Sequence, residues 1–200
     1  MQAPNFNDRL VKEPWGFCQM DSIEKLKDIC PSKIDPNAST KSSENHAHTL
    51  LMSAVTHGSK QCAEYLIKNG AIVDKKNFYG YTALHWAAYS GRTECVDLLL
   101  ENGANLESKT GDGMTPFHIA ALRGHLKFMD YIVKKGANPN AVNSDGWTAM
   151  HYAVIGNHRN VVEYLLKLKI DYRSLDANMK TIDSIVEEYG RTWFNDLASK

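Results

Sequence analysis

The stretches TALHWAAYSG (82–91), TPFHIAALRG (115–124) and TAMHYAVIGN (148–157) recur every 33 residues. A unit of that length cannot bury its own apolar face and must stack on copies of itself. The long side of such a stack is a surface for holding something. The period therefore sets both the architecture and the broad functional class before any single residue is weighed.

The central unit, 77–109, follows from local rules. Thr82 stands where a helix N-cap belongs, its hydroxyl free to accept from unpaired backbone amides. In the next unit Pro116 follows Thr115 at the first helical position, where its missing N–H costs nothing. Ala83, Leu84, Ala87 and Ala88 recur at helical spacing, and Gly91 ends a short first helix. Cys95, Val96, Leu99 and Leu100 form the stripe of a second helix, which Gly103 closes in the left-handed conformation. A polar stretch through Asn105 and Glu107 then makes a projecting turn.

These residues resemble the ankyrin repeat, whose pattern runs G-x-T-P-L-H-x-A-A-x-x-G, an apolar helix, then G-A-N/D. The likeness is close over 77–141 and good over 44–74 and 143–174. It implies an all-α solenoid of stacked helix-turn-helix units with projecting β-hairpin-like turns. The expected division is a degenerate N-terminal capping repeat and loop (1–43), repeats at 44–76, 77–109, 110–142 and 143–175, and a C-terminal capping repeat (176–200).

The ends depart from the pattern. The 44–76 unit has Met52 where the histidine belongs. Upstream, Trp15 and Phe17 read as a degenerate first helix and Ile23, Leu26 and Ile29 as a second, followed by Ile34-Asp35-Pro36-Asn37 as its exit. The Ser/Lys-rich run 39–43 is expected to be mobile. Downstream, Thr181, Ile182, Ile185 and Val186 repeat a first helix with a polar outer face, and Trp193, Phe194 and Leu197 belong to a second. Caps at both ends and a Met at position 1 favour an independent unit. In the fourth repeat Asn157 and Lys169 replace glycines; asparagine tolerates the left-handed position, whereas lysine costs about 1 kcal/mol there or forces another exit.

Lys plus Arg and Asp plus Glu each number 23, so the formal net charge is zero. Nucleic-acid binding draws on phosphate neutralisation, which a neutral chain without a basic stripe does not offer. No run approaches about eighteen apolar residues and no basic-then-apolar leader is present, so no membrane association is expected. Cys18, Cys30, Cys62 and Cys95 make no CxxC pair and read as small buried hydrophobes, in keeping with a cytosolic or nuclear address.

His85, His118 and His151 invite a metal reading. A metal needs ligands converging within about 2 Å of one point. Equivalent residues of stacked helices lie roughly 8–10 Å apart, so these three stand in a row. Each follows its Thr cap by three residues and can reach back as in a capping box, a role the resemblance also implies. His46 and His48, with His57 nearby, lack a cysteine or carboxylate at a recurrent spacing and read as surface histidines. No metal or cofactor is expected. With no P-loop, nucleophile elbow, G-x-G-x-x-G or H-E-x-x-H, neither is catalysis.

The resemblance implies that turn tips and the exposed end of each first helix line a groove. On this chain those positions are Phe78, Tyr79 and Tyr81, then Asp112 and Met114, then Asp145 and Trp147 at the tips. Tyr89, Leu122, Arg123 and Ile155 are the helix-end positions. Phe, two Tyr and a Trp in solvated turns have no folding reason, and such residues dominate interface hot spots. The expected function is a monomeric, non-catalytic module that binds another protein. Two other classes stay open: a segment regulating or targeting a larger enzyme or scaffold, and a small-ligand stack, which the scarcity of lysine near the tips disfavours.

Overall fold

The protein is described by a computed structural model covering residues 14–28, 35–39, 47–172, 176–179 and 181–199. These residues form two compact units, 1–105 and 106–200. Cys30, Ile29, Ile34 and His46, with most of the 39–43 run, lie outside the described residues.

The first unit holds α1 (Pro14–Gln19), α2 (Ile23–Lys27), α3 (Leu50–His57), α4 (Lys60–Lys68), α5 (Ala83–Ser90) and α6 (Val96–Glu101). The second holds α7 (Pro116–Arg123), α8 (Leu126–Lys134), α9 (Ala149–Ile155), α10 (Arg159–Lys167), α11 (Ile182–Glu188) and α12 (Trp193–Ala198). Odd-numbered helices pack side by side, α1 on α3 on α5 and α7 on α9 on α11. Behind them α2 packs on α4, and α8 on α10 on α12. Helix pairs are present at both ends of the chain, α1–α2 and α11–α12, as well as between them.

The first helices are short because they are bounded chemically at both ends. Thr82, Thr115 and Thr148 sit in extended backbone and form capping boxes with His85, His118 and His151. Gly91 and Gly124 end their helices at φ of 69° and 75°. Asn157 takes that left-handed position in the fourth repeat at φ 60°, and Lys169 takes the next at φ 55°, so the chain keeps its path and accepts the strain. The box survives without histidine in α3: Thr49 N–H donates to Met52 Sδ at 3.4 Å while Met52 N–H donates to Thr49 Oγ1 at 3.1 Å.

The second helices bury one stripe each: Cys62, Ala63 and Leu66; Phe128, Met129 and Ile132; Val161, Val162 and Leu165. Their outer faces carry exposed pairs such as Glu64–Lys68 and Asp130–Lys134, both at 2.7 Å. Exposed pairs of this kind are screened by solvent and salt and add little to stability.

The turns are hairpin-like, as expected, though no strand is present among the described residues. Each tip closes with two backbone bonds: Asn77 N–H to Tyr81 O and Gly80 N–H to Asn77 O, Thr110 N–H to Met114 O and Gly113 N–H to Thr110 O, Asn143 N–H to Trp147 O and Gly146 N–H to Asn143 O. Side-chain acceptors tie successive turns together. Asn37 Oδ1 accepts from Ile72 N–H (2.7 Å) and Asp74 Oδ2 from Asn105 N–H (3.1 Å). In the second unit Glu107 Oε1 accepts from Asn138 N–H (2.8 Å) and Asn140 Oδ1 from Asp171 N–H (3.1 Å).

Candidate partner-binding surface

In the first unit the Asn77 amide shapes the tip. Its Oδ1 accepts from Tyr79 N–H at 3.0 Å and Tyr81 N–H at 2.9 Å, curling the turn and delivering Tyr81 to the start of α5. Phe78 and Tyr79 at its crest are 78% and 52% exposed. Behind them a ring cluster forms. Trp86 lies 5.7 Å from Tyr81, 5.3 Å from Tyr89 and 4.6 Å from His48, with Tyr81 also 5.5 Å from His85. Tyr81, Trp86 and Tyr89 are all half-buried: they pack on one another and still present edges to solvent. Their packing on one another gives these aromatics a role in the fold as well.

Trp86 was not among the positions expected from sequence. Its slot, directly after the capping-box histidine, is core elsewhere, as Ile119 and Tyr152 in the second unit are buried. The signal was the size of the indole, which exceeds what that slot encloses.

In the second unit Asn143 repeats the Asn77 arrangement, its Oδ1 accepting from Asp145 and Trp147 N–H at 2.9 and 2.8 Å. Trp147 stacks on His151 at 5.9 Å and meets Tyr152 edge-on at 5.6 Å. Its indole Nε1–H donates to Asp176 Oδ2 at 2.9 Å, and Tyr152 Oη lies 2.8 Å from Asn143 Nδ2. Asp112 and Asp145 are exposed, and their carbonyls accept from Ser144 and Ala177 N–H, linking tip to tip.

Met114 departs from expectation. It is only 7% exposed and belongs to the core, because an unbranched thioether folds under the turn where the rings of Tyr81 and Trp147 do not fit. It offers a partner almost no surface. Leu122 and Ile155 are half-buried and Arg123 is exposed.

The helix ends carry a feature that sequence reading missed. His158 lays its ring over Gly124 and Gly156 and donates Nε2–H to Leu122 O at 2.9 Å. A Cβ at Gly124 would come within 2.4 Å of that ring. Arg191 likewise donates to Val154 O and Ile155 O at 3.3 and 3.4 Å. Cationic or imidazole donors on a helix C-terminus meet the unpaired carbonyls and the negative end of the dipole. The signal was available: Arg92, His125, His158 and Arg191 are spaced by 33.

The histidine row is structural in geometry. His118 Nδ1 accepts from Thr115 N–H at 3.0 Å and Nε2–H donates to Ala141 O at 2.9 Å, so both nitrogens are engaged. Burial lowers His118 to a pKa of about 4, and burial does the same to His151 against the opposing pull of Asp176. His48, pressed on Trp86, is lowered to about 4 by burial and then by His57. Among the described residues no group of three or more His, Cys, Asp or Glu side chains is gathered as a metal site.

The family model for ankyrin repeats (3 copies) matches residues 18–110 and 103–176. The chain is an ankyrin-repeat protein. No curated protein matches it, so its family membership rests on its own repeats. Ankyrin repeats are generally protein–protein interaction modules and typically non-catalytic. The ankyrin capping boxes here are made by Thr and His three times and by Thr and Met once.

Proposed function

We propose that this chain is a monomeric, non-catalytic adaptor that holds a partner protein on its turn tips and the exposed ends of its first helices. The observation that carries this reading is the first unit's ring cluster, half-open behind a crest where Phe78 is 78% exposed. Exposed rings cost solubility and contribute nothing to the fold at that crest, whereas buried aromatic anchors dominate interface energetics. The cytosol or nucleus is the proposed address, supported by Cys62 and Cys95, which are buried thiols outside any disulfide. A neutral formal charge supports a protein partner over nucleic acid.

The test is proximity labelling in the native cell, followed by binding measurements on the recovered partner with Tyr89→Ala and Glu101→Ala. Tyr89→Ala is expected to weaken binding by about 2 kcal/mol, roughly thirtyfold, while circular dichroism shows the chain still folded at the assay temperature. Glu101→Ala, exposed on α6, is expected to change little. Loss with Glu101→Ala and none with Tyr89→Ala would place the partner on the other face.

A further inference from the structure

We propose that Asn102 is the first site of spontaneous deamidation in this chain, and that fraying of the last turn of α6 sets its rate. Of the chain's asparagines, only Asn69 and Asn102 precede a glycine. A glycine nitrogen has no side chain beside it to hinder attack, which makes these pairs the reactive ones. The Gly103 nitrogen adds to the Asn102 side-chain carbonyl carbon and gives up its proton, and the amide leaves as ammonia. Water then reopens the five-membered imide as aspartate or isoaspartate. Water is the one co-reactant, and nothing is oxidised or reduced.

The folded chain blocks that step at both sites. The carboxamides are turned back onto their helices: Asn69 Nδ2–H donates to Tyr65 O and Asn102 Nδ2–H to Leu98 O, each at 2.8 Å. The nucleophiles are engaged, Gly70 N–H with Ile67 O and Gly103 N–H with Leu100 O, each at 3.0 Å. Asn69 and Asn102 hold ψ at 17° and 23°. That sets the glycine nitrogen beside the asparagine's own nitrogen, away from the Cβ over which the ring must close. Reaction therefore waits on opening of the helix end, and the less secure end reacts first.

Asn102 has the less secure end. α4 is nine residues long, packs on α2 as well as α3, and ends on Lys68, a cation that suits the negative end of the helix dipole. α6 is six residues long, carries no basic residue in its last turn and ends on Glu101. Asn69 is half-buried, whereas Glu101, Asn102 and Gly103 are all exposed.

The product weakens the end that formed it. A carboxylate at this position has no N–H for Leu98 O, stands next to Glu101 and opposes the dipole. Isoaspartate also lengthens the backbone just before Gly103, in the strand of chain that delivers Asn105 N–H to Asp74 Oδ2 at 3.1 Å. The joint between two successive turns is thereby loosened, and reclosing the helix does not undo it.

The test holds the full chain at neutral pH and body temperature, folded and in concentrated guanidinium chloride, and samples both over weeks. Peptide mapping by mass spectrometry follows the change from amide to acid at each asparagine. In the folded chain Asn102 is expected to convert at least about fivefold faster than Asn69, and at least about tenfold slower than in denaturant. In denaturant the two sites are expected to agree within about twofold. An Asn69 that converts as fast as Asn102 in the folded chain would overturn the order, and equal Asn102 rates with and without denaturant would overturn the gating. An Asn102 that stays intact while the denatured chain converts, or a faster asparagine elsewhere, would overturn the proposal outright. Asn102→Asp carries the product's charge from the start. Faster hydrogen exchange at Gly103 and Ala104 is expected in that variant, and unchanged exchange would overturn the loosening.

Discussion

Trp86 and Trp147 mark the same contrast in the two units. Both are half-buried; Trp147 lies against the His151 ring of a Thr–His box, whereas Trp86 packs on His48, Tyr81 and Tyr89. Trp147 spends its N–H on Asp176, a carboxylate only 4% exposed, so the ring serves as a fastener within the second unit. Among the described residues the Trp86 N–H has no partner, and its ring sits in a cluster beside a crest where Phe78 is 78% exposed. An aromatic residue on the binding side of a repeat is thus not one kind of thing. What its polar atom does separates a fastener from a platform.

Acid offers the harshest trial of that contrast. His118 and His151, both in the second unit, titrate at about 4 in the folded chain against about 6.5 in an unfolded one. Between those values the unfolded state binds more protons, so stability is full above pH 6.5 and is lost as pH falls towards 4. Each histidine is expected to contribute a loss on the order of 3 kcal/mol by pH 4. His48 adds to this in the first unit, while the Met52 box there has nothing to titrate. Hydrogen exchange followed from pH 7 to 4.5 should show α7 and α9 opening more than α4. Uniform protection at both pH values would break the assignment.

A smaller effect sharpens the comparison directly. Trp147→Phe removes one donor from the buried Asp176 carboxylate, which keeps the Asn178 N–H, and is expected to cost about 1–3 kcal/mol. Trp86→Phe removes an N–H that has no partner among the described residues and is expected to cost under about 1 kcal/mol. Urea denaturation of the two variants decides it; equal losses would erase the distinction between fastener and platform.

The smallest effect concerns the backbone. Lys169 holds φ 55° where Gly70, Gly103 and Gly136 serve the other repeats. Lys169→Gly is expected to stabilise by up to about 1 kcal/mol, the relief of left-handed strain being offset in part by unfolded-state entropy. A drop in melting temperature would mean that the lysine side chain contributes more than its strain removes.

The repeat, its boxes, its left-handed helix ends and both degenerate caps were legible because they depend on residues three or four apart or on strict period. Asn157 and Lys169 could be placed for the same reason. What failed depended on contacts across the fold. Met114 shares its register with Tyr81 and Trp147, and only the space beneath the turn determines that it goes inward. Trp86 was passed over because its slot is core in the other repeats, and periodic reasoning assigns a slot before it asks whether the occupant fits. His158 and Arg191 belong by sequence to the repeat after the helix they cap, so a reading made one repeat at a time does not see them.

The bonds from turn to turn have a mechanical consequence. Asn37, Asp74, Glu107 and Asn140 each hold the next turn through a backbone N–H some thirty residues on, and each such joint spans only adjacent repeats. Pulled from its end, a unit so jointed gives way one repeat at a time. Each repeat then releases roughly 110 Å of slack chain, since about 33 residues extend by some 3.3–3.6 Å apiece. The protein can yield length under load while the repeats still folded keep their surface.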